Sequence, residues 1–376
     1  MKIAIIYDVI YPYVKGGVEK RVWELAVRLA RRGHEVHLFG MKFWDGEDII
    51  NHEGVFLHGV CPTQKLYTFG RRSIWQAVYF SLHLLSPLLR EKFDIIDCQQ
   101  FPYFSCFSAK LISKLKKTPL VITWHEVWVE YWYEYLGWKG FGGIITEGLV
   151  ARLTQNSIAV SVSTKNNLKS LGYRGNIAIV PNGVDLQHIH SINPSVEPSD
   201  IIFVGRLIKE KHVDLLVRAF GLISSDQPQL RLLIIGEGPE QDAIIKIIQE
   251  LSLDNRVVLR EFQANHDEII AYMKSAKVFV NPSTREGFGI TALEALACGI
   301  PVVTVDHPAN AIRDLITEKN GFTCSLTEKD LADTIRRALQ RYAEMKNDCI
   351  DSASAYGWEK ITSDIERYYL SLLETR

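Results

Sequence analysis

The chain is poor in the features that mark secreted, metal-built and membrane-spanning proteins. Its six cysteines, at positions 61, 98, 106, 298, 324 and 349, are scattered and form no CxxC pair. That spacing argues against a disulfide framework and against a zinc ribbon. Nothing before the first apolar run, Lys2-Ile3-Ala4-Ile5-Ile6-Tyr7, reads as a secretory signal. A reducing cytoplasm with free thiols is therefore the expectation. No apolar run reaches the ~18 uninterrupted residues of a spanning helix. The nearest, residues 74–89, is broken by Gln76, His83 and Pro87. Neither sign of charge dominates: 43 Lys and Arg against 44 Asp and Glu give a net charge of -1, so no global field favours nucleic acid. There is no DxD, no HExxH and no clustered Cys/His set, so no catalytic metal is expected. GxGxxG is missing too, and the second expected strand ends Phe39-Gly40 without an acidic residue, which weakens a classical NAD reading. No low-complexity tract or short-period repeat occurs.

What is present is an ordinary globular composition, 47% hydrophobic and 23% charged, over 376 residues. At ~150 residues per domain that length favours two domains. Short apolar runs alternate with amphipathic stretches. Strands are expected at 3–7, 36–40, 95–98, 120–124, 157–161 and 177–180. A helix over 19–32 carries Val22, Leu25, Ala26 and Leu29 at helical spacing and is ended by Gly33. The strand runs are uniformly apolar, as buried parallel strands are. Residues 191–200, with two prolines and three serines, read as an interdomain linker. The alternation then restarts, with strands expected at 201–204, 232–235, 257–259, 278–280 and 302–305, and helices including 215–223 and 291–297. A last amphipathic helix covers about 358–373. The reading is α/β: two Rossmann-like domains with doubly wound parallel sheets.

In such sheets ligands bind at the carboxyl ends of the strands, where loops feed helix N-termini. Five places qualify. Gly16-Gly17-Val18-Glu19 opens the first long helix, and its glycines and free amides suit either an anion or a plain turn. Gly205-Arg206-Leu207-Ile208-Lys209-Glu210-Lys211 follows the first strand of the second half. Its cations suit a phosphate, and they would stabilise a departing diphosphate; a solvated charge run is the alternative. Gly236-Glu237-Gly238-Pro239-Glu240 is another glycine-rich turn. In the segment from Asn281 to Glu294, Glu286 is expected in a loop and Glu294 about two turns into a helix, on roughly the same side as the helix start. Both carboxylates could grip sugar hydroxyls, or Glu294 could form an internal salt bridge. His125 ends the 120–124 strand, where it could donate a hydrogen bond to a substrate or be structural.

Taken together, these segments resemble the retaining glycosyltransferases of family 4 (glycosyltransferase group 1), which have the GT-B architecture. The resemblance rests on Gly16-Gly17-Val18-Glu19, on Arg32-Gly33-His34-Glu35-Val36 and on Val180-Pro181-Asn182-Gly183-Val184-Asp185. It also rests on Gly205-Arg206-Leu207 with Glu210-Lys211, and on Glu286 and Glu294 as an E-x7-E motif. It implies two Rossmann-like domains facing across a cleft. Residues 1–190 would bind the acceptor, joined by the final helix at about 358–376, and 200–357 would bind the nucleotide sugar. Arg206 and Lys211 would hold the diphosphate, Glu286 the donor sugar and Glu294 the ribose. Gly205, Gly238 and the amides of Phe288, Gly289 and Ile290 would lie against the donor. Gly16 and Gly17 would meet the diphosphate, and His125 the transferred sugar. The family needs no metal and retains anomeric configuration, with the leaving phosphate helping to deprotonate the acceptor.

The pattern departs from the family at His212, where glycine is usual, at Glu126, and at Glu261 near the expected base pocket, which leaves uracil or guanine open. A nucleotide-sugar epimerase of the same fold, a phosphorylase, a non-catalytic nucleotide-sugar binder and a dinucleotide oxidoreductase are the alternatives. On the acceptor side, residues 65–89 mix Lys65, Arg71 and Arg72 with Tyr67, Phe69, Trp75, Tyr79 and Phe80. Residues 124–141 hold eight more aromatics, among them Trp128, Trp132 and Trp138. Such mixtures suit the cytoplasmic face of a membrane or a lipid-linked acceptor, sugar stacking, or core packing.

Overall fold

A computed structural model describes residues 1–68, 71–262 and 265–374. Phe69, named above, lies outside the described residues. The chain forms two compact units, Met1–Asn182 with Trp358–Arg376, and Gly183–Gly357.

The first unit is built on strands β1 (Lys2–Ile6), β2 (Glu35–Lys42), β3 (Ile49–His52), β4 (Val55–Pro62), β7 (Ile95–Gln99), β8 (Leu120–Trp124), β9 (Asn156–Ala159) and β10 (Asn176–Ile179), with a separate small ribbon of β5 (Tyr67–Thr68) and β6 (Arg71–Arg72). The sheet order is β10-β9-β8-β7-β1-β2-β4-β3, parallel except for β3 at the edge. The order reverses direction between β1 and β7. Helices α1 (Gly17–Arg31), α2 (Ile74–Arg90), α3 (Phe104–Lys116), α4 (Tyr131–Leu136), α5 (Gly140–Val150) and α6 (Val162–Ser170) make the connections. Ile3 to Ile6 and every residue of β7 and β8 are buried, which explains why these runs are apolar rather than alternating: both faces of the strands are covered, and the polar Asp97 and Thr123 within them are hydrogen-bonded to each other.

The second unit begins with α7 (Leu186–Ser191), capped by the Asp185 carboxylate accepting from His188 N at 3.0 Å. Its strands are β11 (Ile201–Val204), β12 (Leu232–Ile235), β13 (Val257–Arg260), β14 (Val278–Asn281), β15 (Val302–Val305) and β16 (Gly321–Cys324). They are all parallel, in the order β13-β12-β11-β14-β15-β16. Helices α8 (Val213–Ser224), α9 (Gln241–Glu250), α10 (His266–Lys274), α11 (Ile290–Ala297) and α12 (Glu328–Ser354) complete it. The last helix, α13 (Trp358–Glu374), belongs to the first unit. There Arg32 reaches Glu359 at 2.8 Å and Glu366 at 2.9 Å, and the Tyr369 hydroxyl donates to buried Asp97 on β7.

Several sequence expectations change. The boundary falls between Asn182 and Gly183, and residues 191–200 are packed into the second unit rather than spanning between bodies. Ser195 N donates to Ala271 O at 2.9 Å, and Glu197 pairs with Arg260. A proline- and serine-rich stretch leaves its backbone groups available, and here neighbouring elements take them up. The β3–β4 hairpin and β16 escape the apolar-run criterion because β3 is exposed and β4 carries His58 and Gly59. Among the described residues no helix is long and apolar enough to cross a membrane. The 74–89 stretch is α2, which buries Gln76, Ala77, Phe80, Leu84 and Leu88 on one face and exposes Trp75, Leu82 and Leu89.

Candidate active site

In the second unit the strand order reverses between β11 and β14, and loops leaving the carboxyl ends of strands at such a switch point are where ligands bind in open parallel sheets. Gly205, Arg206, Lys211, Glu286, Phe288 and Gly289, half of the residues singled out from the sequence, stand on those loops. Arg206 follows β11 directly. It is exposed and makes no ion pair or hydrogen bond among the described residues. Lys211 ends the same loop, and its ammonium pairs with the Glu286 carboxylate from the loop after β14. Both side chains are largely buried, at 12% and 16% exposure. Asn281, the last residue of β14, donates from Nδ2 to Glu286 Oε1 at 3.1 Å.

The two loops are stitched together by backbone as well. Glu210 O accepts from Thr284 N at 3.0 Å and from Ser283 Oγ at 3.0 Å. His212, held at φ +48, places Nε2 3.0 Å from Thr284 Oγ1. Glu286 itself is locked in a bridge: its N donates to Ala309 O and its O accepts from Ala311 N, both at 2.9 Å. These bonds fix the Glu286 backbone, and Asn281 holds its carboxylate beside the lysine.

The β12 loop closes the other flank. Leu207 N donates to Glu237 O at 2.8 Å, and Glu240 N to Leu207 O at 3.0 Å. Gly238 must be glycine there: φ is +157, and a Cβ would stand 2.2 Å from Leu207 O. Gly289 has the same constraint. It caps α11 at φ +92, where a Cβ would meet the Ile312 side chain at 2.3 Å. The first amides of α11, from Ile290 on, therefore begin beside the Glu286 loop with no side chain in front of Gly289. Phe288 is buried, its ring edge-on to Tyr356 at 6.0 Å between centroids.

Glu294 sits one turn into α11, which begins at Ile290, rather than the two turns expected. Its carboxylate is buried, and Oε1 lies 2.8 Å from Nε2 of the half-exposed His266 at the start of α10. Internal pairing, one of the two readings of this residue, is thus present. The pair has one wet member, so Glu294 can exchange that partner for another donor.

The other singled-out residues belong to the first unit. Gly16 and Gly17 stand at the N-terminus of α1, with no side-chain cap on its free amides. The Glu19 carboxylate is buried nearby, and burial raises it above the ordinary range. His125 follows β8. Its backbone N donates to Gln100 Oε1 at 3.0 Å, and its Nε2 lies 2.8 Å from Gln99 Oε1. The Gln99 amide nitrogen faces Asp97 at 3.4 Å, which leaves the Gln99 oxygen to accept from His125 Nε2–H. The donor expected from the sequence is thus spent on Gln99, and Nδ1 remains as an acceptor. Burial, helped by the Arg21 charge, pushes His125 well below the usual imidazole range, so the ring is neutral at pH 7. Arg21 in turn holds the 180–182 segment, donating to Val180 O at 2.9 Å and Asn182 Oδ1 at 3.2 Å.

Sequence reasoning passed over Asn281, His266, Gln99 and Gln100. Asn281 stands at a strand's carboxyl end, a signal that was available. His266 and the two glutamines carry no local pattern.

Comparison with known proteins places this geometry in a family. Residues 15–188 match the model described as Glycosyltransferase Family 4, and residues 187–355 match Glycosyl transferases group 1. The N-acetylgalactosamine-N,N'-diacetylbacillosaminyl-diphospho-undecaprenol 4-alpha-N-acetylgalactosaminyltransferase of Campylobacter jejuni is 29% identical over 247 residues, 62% of this chain and 65% of its own length. Among solved structures, sucrose-phosphate synthase from Thermosynechococcus elongatus superposes with TM-score 0.82 at 21% identity, covering 100% of both chains. The Anabaena protein HepE in complex with UDP-glucose superposes with TM-score 0.75 at 20% identity, over 99% of this chain and 100% of its own. The matching of both halves to family models and the likeness of the whole fold lead to one assignment: this chain belongs to the family 4, group 1 glycosyltransferases and has the GT-B fold.

Proposed function

We propose that the chain moves a sugar from a UDP- or GDP-linked donor to a glycan, lipid-linked or small-molecule hydroxyl, with retention of configuration and without a metal ion. One observation supports this most: Lys211 and Glu286 pair where the second sheet reverses, on the loops after β11 and β14. Arg206 stands on the same loop as Lys211, exposed and with no ion pair or hydrogen bond among the described residues. The donor diphosphate is the partner that completes them.

In this reading the bond between the sugar's anomeric carbon and the phosphate oxygen breaks, and the electron pair leaves with the nucleoside diphosphate. Arg206 and Lys211 stabilise that developing charge, and the amides of Gly289 and Ile290 add to it. Gly205 and Gly238 keep side chains away from the phosphates. Glu286 accepts from hydroxyls of the donor sugar, and Glu294 exchanges His266 for the ribose. The acceptor oxygen bonds to the anomeric carbon on the face the diphosphate leaves, and its proton passes to the departing phosphate oxygen. Gly16 and Gly17 supply anion-binding amides, and His125 accepts from a sugar hydroxyl through Nδ1. The solved UDP-glucose complex of HepE supports a uridine donor class.

A lipid-linked acceptor is the second part of the proposal, with the chain working at the cytoplasmic face of a membrane. On α5, Phe141, Ile145 and Leu149 are exposed at four-residue spacing, and Trp138 beside them is 82% exposed. Such a stripe suits a membrane interface. The Campylobacter relative carries diphospho-undecaprenol in its name. All six cysteines are buried and free, compatible with a reducing compartment.

The test is thermal stabilisation by UDP-, GDP- and ADP-sugars, followed by transfer assays in EDTA with the product anomer read by NMR. Stabilisation by one nucleotide class and retained configuration support the reading; an inverted product, or loss of transfer in EDTA, ends the corresponding part. Co-sedimentation with anionic vesicles at low salt tests the membrane part, and absence of binding ends it.

A further inference from the structure

His37 on β2 and His58 on β4 point at each other from neighbouring parallel strands of the first unit, with His37 Nδ1 2.7 Å from His58 Nε2. The register pairs Phe39 with His58 and His37 with Phe56, which puts all four side chains on one face. Both imidazoles are buried, at 4% exposure each. His37 stacks on Phe56 and His58 on Phe39, so neither ring is free to swing away. Glu91, the residue after α2, adds a carboxylate: one ligand atom from each of the three side chains lies within 4.8 Å of the others. A cavity of about 400 Å³, walled in part by His58 and Glu91, leads to the group from solvent.

A further contact separates this cluster from a chance meeting of polar groups. His37 Nε2 lies 2.9 Å from Glu35 Oε1. A carboxylate on the far nitrogen holds that nitrogen protonated and leaves Nδ1 as a lone pair aimed at His58 and Glu91. Metal-ligating histidines are oriented in this way.

We propose that His37, His58 and Glu91 bind a divalent ion of the zinc class, with its fourth position open to the cavity. Two imidazoles and a carboxylate are a ligand set zinc accepts in tetrahedral geometry, with bonds of about 2.0–2.2 Å. The facing nitrogens must part from hydrogen-bonding separation to about 3.3 Å to sit on such an ion. His58 then carries its proton on Nδ1, so this pair releases none. Lys2 is the competing cation: it bridges Glu91 and Glu35. The ion displaces it from Glu91, while Glu35 at 2.8 Å retains it. The ion ties the end of α2 to β2 and β4. It stands apart from the residues assigned to the donor, so sugar transfer and metal binding are separate properties.

The probe is zinc alone, added to chelator-stripped full-length protein and read by calorimetry and by thermal melting. Cobalt substitution gives a visible spectrum that reports tetrahedral coordination. The expected result is one ion per chain, a raised melting temperature and tetrahedral cobalt bands. Glu35→Gln should keep the stoichiometry and weaken binding about 10–100-fold, as loss of a ligand-orienting partner does. Glu91→Gln and His58→Gln should weaken it more. Should His58→Gln fail to fold, Glu91→Gln, at a partly exposed position, decides. Absence of saturable zinc binding at micromolar concentration overturns the proposal, as does binding that Glu91→Gln leaves unchanged.

Discussion

Lys211 pairs with Glu286 across the point where the second sheet changes direction, joining the loop after β11 to the loop after β14. These two residues are 75 apart in sequence. Their pairing neutralises the lysine in the absence of a donor. Asn281 also donates to that carboxylate, and the Glu286 backbone is bonded on both sides, so the proposed reading expects Glu286 to stay in place if the lysine turns to a phosphate. For Lys211→Ala we expect turnover to fall about 100-fold, the usual cost of one preorganised charge-stabilising group. Initial-rate kinetics check it; a change in KM alone would reassign Lys211 to ground-state binding.

In the proposed reading, Arg206 serves catalysis and not stability. Being exposed and without a partner among the described residues, it should contribute little to folding, so Arg206→Ala should shift stability by no more than about 0.5 kcal/mol. Turnover should fall at least ~100-fold. Urea unfolding and steady-state rates on one preparation check both, and near-normal turnover removes Arg206 from the diphosphate site.

Glu294→Ala should act on nucleotide affinity before it acts on rate. Its partner His266 is half exposed and can be rehydrated, so the fold should survive the change. Calorimetry with the free nucleotide should register weaker binding by about tenfold or more, since a hydrogen bond to a charged group is worth roughly 1.5–3 kcal/mol. Unchanged affinity counts against the ribose role.

Asp97 and Tyr369 anchor the C-terminal helix. The Asp97 carboxylate, raised by burial, accepts from Tyr369 and from Thr123 Oγ1 at 2.8 Å. Tyr369→Phe removes one donor from a buried acceptor and should cost about 1–3 kcal/mol. The measurement is chemical unfolding of the full chain; a neutral result would mean Thr123 and Gln99 satisfy Asp97 without the tyrosine.

His125 gives a pH dependence of known sign. Its folded pKa is depressed by burial, while in the unfolded chain it titrates near about 6.5. Its contribution to stability is therefore fully present above that value. Below it, the unfolded state takes up a proton that the folded state refuses, and stability declines as pH falls. Melting temperatures from pH 7.5 to 5.5 should fall, and His125→Gln should make that slope shallower; an unchanged slope would show the ring titrating normally.

Much of the fold was legible because buried parallel strands need nothing but apolar residues. Residues 201–204, 232–235 and 302–305 read as strands and are strands, and the E-x7-E spacing put Glu286 and Glu294 on one loop and helix. Elements whose apolar pattern is interrupted were not legible. β4 passes unnoticed because His58 and Gly59 sit inside it, and β3 because its face is wet. Residues 191–200 resemble a linker in composition, yet whether a polar backbone stays free depends on what packs against it. Glu294 was placed a turn too deep although the expected helix, 291–297, starts within one residue of α11; counted from Ile290 it is one turn in.

The sequence alone determined two α/β units, the loops at the carboxyl ends of their strands and the glycine positions those loops require. These are local consequences of burial and of backbone sterics. Tertiary structure decided the partners: Lys211 with Glu286, Glu294 with His266, His125 with Gln99, and the His37–His58–Glu91 group. Side chains tens of residues apart meet only when strand order and register bring them together, and no spacing along the chain encodes which of them will touch.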